Sequence, residues 1–383
     1  AVSSMSSAVA LSTSASIGAS GNDRISNYAN LSTVDKLFYS NAEGQQVTGM
    51  AEYVSGNPKL KWETTYQYDL GLDLGLFNGR VDFTFDAYYK DTRDMLFKAV
   101  LPSQTGFTTQ WQNIGNVINK GLEFTLNTVN VKQGDFSWSS NLTMDLNRNR
   151  VTSLGEGVES LANPVSKGAF TEEPTRLIAG EPLGIIWGYE WDGNYQLDDF
   201  NIYYKNTDIP VAPELVTSEN YQQMDFELKE GVTKMNGVSV KPGDRKFKDL
   251  DGDGVIKKGE TTNNPGDYSV IGNCFPRFQF GLNIDAAYKG FDLNLFFQGV
   301  AKKDMWVAGN QVLPGFTSGE PYYAGQTDYW TEENPDAFYP RLYVYGQLLK
   351  GNYTINDRYM LRMGYLRLKQ LTLGYTFPKK WMD

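Results

Sequence analysis

Tyr66-Gln67-Tyr68-Asp69-Leu70-Gly71-Leu72-Asp73-Leu74-Gly75-Leu76-Phe77-Asn78-Gly79-Arg80-Val81-Asp82-Phe83-Thr84-Phe85-Asp86-Ala87-Tyr88-Tyr89-Lys90 alternates apolar and polar side chains with period 2. Side chains of a strand point to opposite faces in turn, so this pattern predicts two strands with one apolar and one polar face each. Tyr68, Leu70, Leu72, Leu74 and Leu76 share a face, and on the return Val81, Phe83, Phe85, Ala87 and Tyr89 do the same. Asn78-Gly79 supplies residues that accept positive φ, so a two-residue hairpin turn is expected between them.

Two further segments repeat the design. Leu122, Phe124 and Leu126 alternate with Glu123, Thr125 and Asn127; a turn at Gln133-Gly134-Asp135 then leads to Trp138, Leu142, Met144 and Leu146. Phe278, Phe280, Leu282, Ile284, Ala286 and Tyr288 run to a turn at Lys289-Gly290, and Phe291, Leu293, Leu295 and Phe297 return. A last strand pair is expected between Met360 and Phe377, with a bulge where the phase slips between Lys369 and Leu371.

These turns are tight, whereas the other connections (roughly 91–113, 151–275 and 299–359) far exceed the usual ~4–6 residues. Short turns at one end and long loops at the other are the profile of an outer-membrane barrel. The apolar face also suits the inside of a β-sandwich. Strands of about ten residues, suited to a tilted bilayer crossing, aromatics near the strand ends and a hydrated opposite face weigh towards the barrel.

Composition narrows the function. The 383 residues include 14% aromatics and 38 Gly, a mixture that favours strands and turns. No apolar run approaches the ~18 residues of a membrane helix. With no His and a single Cys (Cys274), triads with a His base, His-rich zinc sites and intrachain disulfides are excluded. A net charge of −10 disfavours nucleic acid. No spacing singles out a catalytic carboxylate pair, so no enzymatic activity is expected. Ala1 opens a stretch without initiator Met, basic segment or cleavage site, as expected of a fragment.

One segment carries metal chemistry. Asp249, Asp251, Asp253 and Glu260 stand at positions 1, 3, 5 and 12 of a calcium-loop pattern, with Gly254 at 6 and Val255 at 7, whose carbonyl would complete the ligand set. Pro242-Gly243 before it and Asn264-Pro265-Gly266 after it stand where an EF-hand has helices, so a structural calcium is expected, or else a solvated acidic turn. Trp187, Tyr189, Trp191, Tyr195, Trp306, Tyr322 and Tyr323 fall in the long connections, where rings could stack on sugars or peptide side chains or simply pack the loops.

Several ordered motifs resemble one family. Asn57-Pro58-Lys59-Leu60-Lys61-Trp62-Glu63 with the strand behind it, Gln112-Asn113-Ile114-Gly115 with Asn119-Lys120-Gly121-Leu122-Glu123, Gly243-Asp244, the run from Asp249 to Ile256, Ile271-Gly272-Asn273, Tyr288 to Leu293, Tyr329 to Pro335 and Tyr365 to Tyr375 are similar to the C-terminal barrel region of SusC-like (RagA-like) TonB-dependent transporters of the Bacteroidota outer membrane. The resemblance covers roughly Gly18 to Pro378. It implies an all-β fold, part of a large antiparallel transmembrane barrel of about 22 strands. Residues 151–275 would form a long extracellular loop region. It also implies import of oligosaccharide or oligopeptide with a SusD-like surface lipoprotein as lid, TonB as energy source and outer-membrane lipid around the wall. Trp330 reads as architectural. Family members begin with a signal peptide, a small extension, a TonB-contacting segment and a plug, and continue to final strands, so this chain is expected to be partial. The Ser/Ala-rich segment 1–20 departs from the bulkier strand the family has there. The competing expectation is a secreted or surface-bound carbohydrate-binding β-protein with a calcium-stapled loop.

Overall fold

The computed structural model describes residues 9–22, 28–101, 103–155, 158, 160–167, 170–259, 263–307, 323–343 and 351–378. Its main element is an eight-stranded sheet in which sequence neighbours are also neighbours in space. The strands are β1 (Ala10–Asn22), β2 (Glu63–Leu76), β3 (Val81–Arg93), β4 (Asn116–Gln133), β5 (Phe136–Ser153), β6 (Phe278–Tyr288), β7 (Phe291–Ala301) and β8 (Tyr365–Tyr375). Every pairing is antiparallel.

Register aligns the apolar positions into rows across the sheet. Leu72 faces Phe85, which faces Phe124, then Met144, Phe280, Gly299 and Leu366. Because side-chain period is 2, a slip of one residue would send a whole strand's apolar set to the other face. This face is uncovered: Leu371 and Leu373 are 63% and 68% exposed. From Phe136 to Leu146, β5 runs about 33 Å at ~3.3 Å per residue. A strand tilt of ~40° leaves an apolar band about 25 Å tall, the height of a bilayer's hydrocarbon layer as barrels meet it. Aromatic rings border it at both ends, Phe136 with Tyr288 (6.4 Å between centroids) and Phe291 with Tyr375 (4.5 Å) at one, Tyr68 with Tyr89 (6.2 Å) at the other.

Lys289-Gly290 is a two-residue turn with φ of 48° and 87°, as alternation predicts. Gly134-Asp135 closes β4 onto β5. The first hairpin differs from expectation: Leu76 pairs with Val81, so four residues turn rather than two, with Phe77, Asn78 and Gly79 all at positive φ. The Arg80 guanidinium in this turn donates to the carbonyls of Val129 and Asn130, tying it to β4.

The bulge in β8 falls where the phase slips: Phe296 faces Gln370 while Phe297 faces Leu368, so Lys369 is unopposed. The expected local strand pair is not formed, however. Met360–Arg362 pairs instead with Asp304–Trp306, because the β7–β8 connection folds back over the sheet end. The Ser/Ala-rich segment also gains an explanation. Ala10–Asn22 is β1, and its small side chains suit the glycines of β2; a Cβ on Gly71 would stand 2.4 Å from Ser14 Oγ.

All long connections leave from one end of the sheet, and their described residues form further structure there. Residues Ser160–Lys167, Phe170–Ile178, Ile185–Tyr189 and Tyr268–Asn273 form a four-stranded sheet. Three apolar cores lie in this layer, one around Tyr195, Phe200, Tyr221 and Trp330, one around Trp306, Tyr353 and Tyr359, and one around Tyr189, Phe247 and Ile256. Among the described residues no helix is long and apolar enough to cross a membrane, which says nothing about strands.

Candidate functional site

The acidic segment forms a compact turn in which three of its carboxylates converge. One carboxylate oxygen each from Asp249, Asp251 and Asp253 lies within 4.8 Å of the others. Gly252 and Gly254 take φ of 76° and 82°, which side-chain-bearing residues rarely adopt. The two oxygens of Asp249 accept the amides of Gly252 and Gly254, both at 2.7 Å, and Asp253 Oδ1 accepts that of Val255 at 2.8 Å. Val255-Ile256 pairs with Lys234-Met235, and Ile256 is buried. Lys257 reaches back to Asp251 at 3.3 Å and pairs also with Asp253. This pairing holds Asp253 below the usual carboxylate range and raises Lys257. Glu260 lies outside the described residues.

Asp267 is the residue that sequence reasoning missed. It is fully buried, and its two oxygens accept the amides of Leu250 at 2.7 Å and Lys257 at 2.8 Å, so one carboxylate clamps both ends of the acidic turn. The signal was a repeat: Pro265-Gly266-Asp267 echoes Pro242-Gly243-Asp244, and both tripeptides carry a positive-φ Gly and a fully buried Asp. Asp244 accepts from the Lys241 amide and from Asn352 Nδ2. The Pro-Gly pairs flanking the loop are thus anchors in place of helices.

The aromatic candidates divide. Tyr189, Tyr195 and Trp306 are buried and offer no free ring face, which removes them as sugar-stacking residues in this conformation. Tyr189 stacks on Phe247 at 4.7 Å, and Tyr195 donates to the Thr233 carbonyl at 2.7 Å. Trp187 meets Tyr268 edge-on at 6.4 Å, while Trp191 lies under Arg358 at 4.1 Å. Both are half-buried. Tyr322 lies outside the described residues, and Tyr323 is exposed. Trp330 is buried and donates from Nε1 to Gln196 Oε1 at 3.1 Å, an architectural role.

Arg245 organises this layer from its interior. Its guanidinium donates to Asn194 Oδ1 at 2.9 Å, to the Tyr359 hydroxyl at 3.0 Å and to the Phe338 carbonyl. Four distant segments are thereby held together, and nothing in their spacing announces it.

The polar face of the wall carries a row of acids. Asp86 faces Glu123 and Glu123 faces Asp145, three acids in one row. Like charges opposite one another cost stability unless water or a partner screens them, so this face suits a hydrated interior. Gly121 sits beside it because the Tyr88 ring crosses over; a Cβ there would stand 2.4 Å from that ring and 2.7 Å from the Leu146 carbonyl.

A family model described as TonB dependent receptor-like, beta-barrel matches residues 12–381. TonB-dependent receptor P3 of Formosa agariphila is 34% identical over 96% of this chain and 32% of its own length. TonB-dependent receptor SusC of Bacteroides thetaiotaomicron is 25% identical over 89% of this chain and 29% of its own. The structure of the RagAB peptide transporter superposes with a TM-score of 0.68 at 20% identity, covering 97% of this chain and 35% of that one, and so supports the fold. The chain spans about a third of the length of the curated relatives it matches.

Proposed function

Since the chain belongs to the TonB-dependent receptor β-barrel family, whose members are transporters of the outer membrane, we propose that it forms part of the wall and outer rim of an importer for oligosaccharides or oligopeptides. The observation that carries this is the two-faced sheet: an uncovered apolar band about 25 Å tall on one side, acids and amides on the other. Aromatic borders at both ends suit membrane interfaces. Every long connection leaves from one end, which then faces the cell exterior.

The folded rim built on Arg245 would present the surface on which a SusD-like lipoprotein closes over captured nutrient. TonB would act through parts of the protein outside this chain. In support, the RagAB neighbour is a peptide transporter and SusC is among the relatives. A carbohydrate-binding module in solution is not favoured, because the bare Leu rows of β8 would then face water.

The acidic turn is proposed as a structural calcium site. Each carboxylate oxygen that accepts one amide keeps a second lone pair for a hard cation. Asp249, Asp251, Asp253 and the Val255 carbonyl would hold the ion, with Glu260 as the further acid, and bound calcium would supply charge neutralisation in place of Lys257. Asp267 fixes both ends of the turn in advance.

The test is to extract the full-length protein from membranes in mild detergent and identify every co-purifying polypeptide. A lipoprotein partner, together with uptake of glycan or peptide that fails in a deletion strain, is expected. A protein soluble without detergent would overturn the assignment.

A further inference from the structure

Just beyond the apolar band, on the long-loop side, the membrane-facing rows change character. Leu70, Ala87, Leu122 and Leu146 form the last apolar row of β2 to β5. The next row on the same face is Tyr68, Tyr89, Lys120 and Arg148. Lys120 stands directly opposite Arg148 in the β4–β5 ladder, and both are exposed. Two cations in directly opposed positions repel each other.

Their surroundings do not relieve this. Among the described residues, Arg148 donates from Nη1 to the neighbouring Asn147 carbonyl at 3.5 Å. Among the described residues neither cation forms an ion pair. Asp91, one row further out on that face, is taken by Arg93 at 2.7 Å. Asp69 belongs to the opposite face, where it accepts from Ser16 and Gln67.

Between these rows lies a groove of about 650 Å³, lined by Leu70, Ala87, Leu122 and Leu146 below and by Tyr89, Lys120 and Arg148 above. It exists because Ala87 is small where its row neighbours are Leu. An apolar trough that ends in two cations without an ion pair among the described residues, at the depth of the aromatic border, matches a molecule with the reverse order of parts. Basic pockets at this depth recognise lipid headgroups.

We propose that Lys120 and Arg148 clamp the phosphate of an anionic lipid of the outer leaflet, whose acyl chain lies in the groove over Ala87. This rests on the assignment of the apolar face to the membrane. The bound phosphate replaces the missing counter-ion and holds a lipid at the β4–β5 rim, beneath the folded extracellular layer.

Full-length protein in detergent, freed of native lipid, is titrated with a diacyl phosphatidic acid, with a phosphatidylcholine of the same chains and with inorganic phosphate, and bound lipid is counted by native mass spectrometry. Wild type should prefer phosphatidic acid over phosphatidylcholine by about thirtyfold, given the ~1 kcal/mol that each of the two basic residues contributes at an anionic surface. Lys120→Gln with Arg148→Gln should abolish that preference, Lys120→Arg with Arg148→Lys should keep it, and Ala87→Phe should weaken both lipids. Equal preference in wild type and in the Gln pair, or displacement of the lipid by inorganic phosphate at equal concentration, would overturn the proposal. Detergent dependence is read separately on the same samples. A protein soluble without detergent refutes the membrane assignment, whereas a detergent-dependent protein without lipid preference refutes the clamp alone.

Discussion

Arg245 Nη2 donates to the Tyr359 hydroxyl at 3.0 Å, across 114 residues of chain. The same guanidinium serves Asn194 and Phe338, so one side chain closes the β5–β6 connection onto the β7–β8 connection. Arg245→Met would leave buried acceptors without this donor, at about 1–3 kcal/mol for each one unsatisfied. Hydrogen exchange should accelerate around residues 194–200, 338–343 and 352–359 while β2 to β5 stay protected. Unchanged exchange there would show that the core around Trp306 holds the layer unaided.

Gly121→Ala should destabilise the wall by about 1–3 kcal/mol, the usual cost of overpacking. Tyr88 can swing aside, but the Leu146 carbonyl at 2.7 Å from the added Cβ belongs to the neighbouring strand and cannot. The urea midpoint of the full-length protein, read from the gel mobility of unheated samples, checks this. Gly325→Ala, which meets nothing within 4 Å, serves as the control and should leave the midpoint unchanged.

Asp267→Asn should loosen the acidic turn. An amide side chain offers one acceptor oxygen where the carboxylate accepted both the Leu250 and Lys257 amides, so one bond becomes a donor facing a donor. The expected cost is about 1–3 kcal/mol, seen as faster proteolytic nicking within residues 249–259.

Calcium affinity should respond in opposite directions to two substitutions. Asp251→Asn removes a charged ligand and should weaken binding by about tenfold, whereas Lys257→Gln removes a competing cation and should strengthen it. Calorimetric titration of the full-length protein decides. Indifference to both changes would mean that the acidic turn is not a calcium site.

Alkaline pH should open the outer layer before the wall. Burial pushes the Tyr195 and Tyr221 hydroxyls well above the ordinary tyrosine value of 10.0. The unfolded layer therefore loses these protons first. Their contribution is complete below pH ~10 and declines as pH rises beyond it, because the state binding fewer protons gains. Tyrosinate absorbance should appear together with protease sensitivity of this layer.

How much of this was legible in the sequence depends on the range of the interaction. Alternation from Tyr66 to Lys90 marks the faces of β2 and β3, Lys289-Gly290 marks a turn, and the phase slip at Lys369 marks a bulge; each is a property of neighbouring residues. The acidic turn was readable for the same reason, since Asp249, Asp251 and Asp253 lie within five positions. The aromatics stayed ambiguous between stacking and packing because ring chemistry is the same in a binding site and in a core. Only burial separates Tyr189 and Tyr195 from a ligand-facing ring.

By itself, then, the sequence determined the two-faced strands, the tight turns and the family, because period-2 patterning and contiguous motifs need no knowledge of distant chain. Tertiary structure decided the rest. The register that sets Lys120 opposite Arg148, the four-segment hub at Arg245 and the clamp of Asp267 on Leu250 and Lys257 join groups whose spacing along the chain is arbitrary. Such pairings arise only when packing fixes which surfaces meet, and a linear pattern carries no term for that.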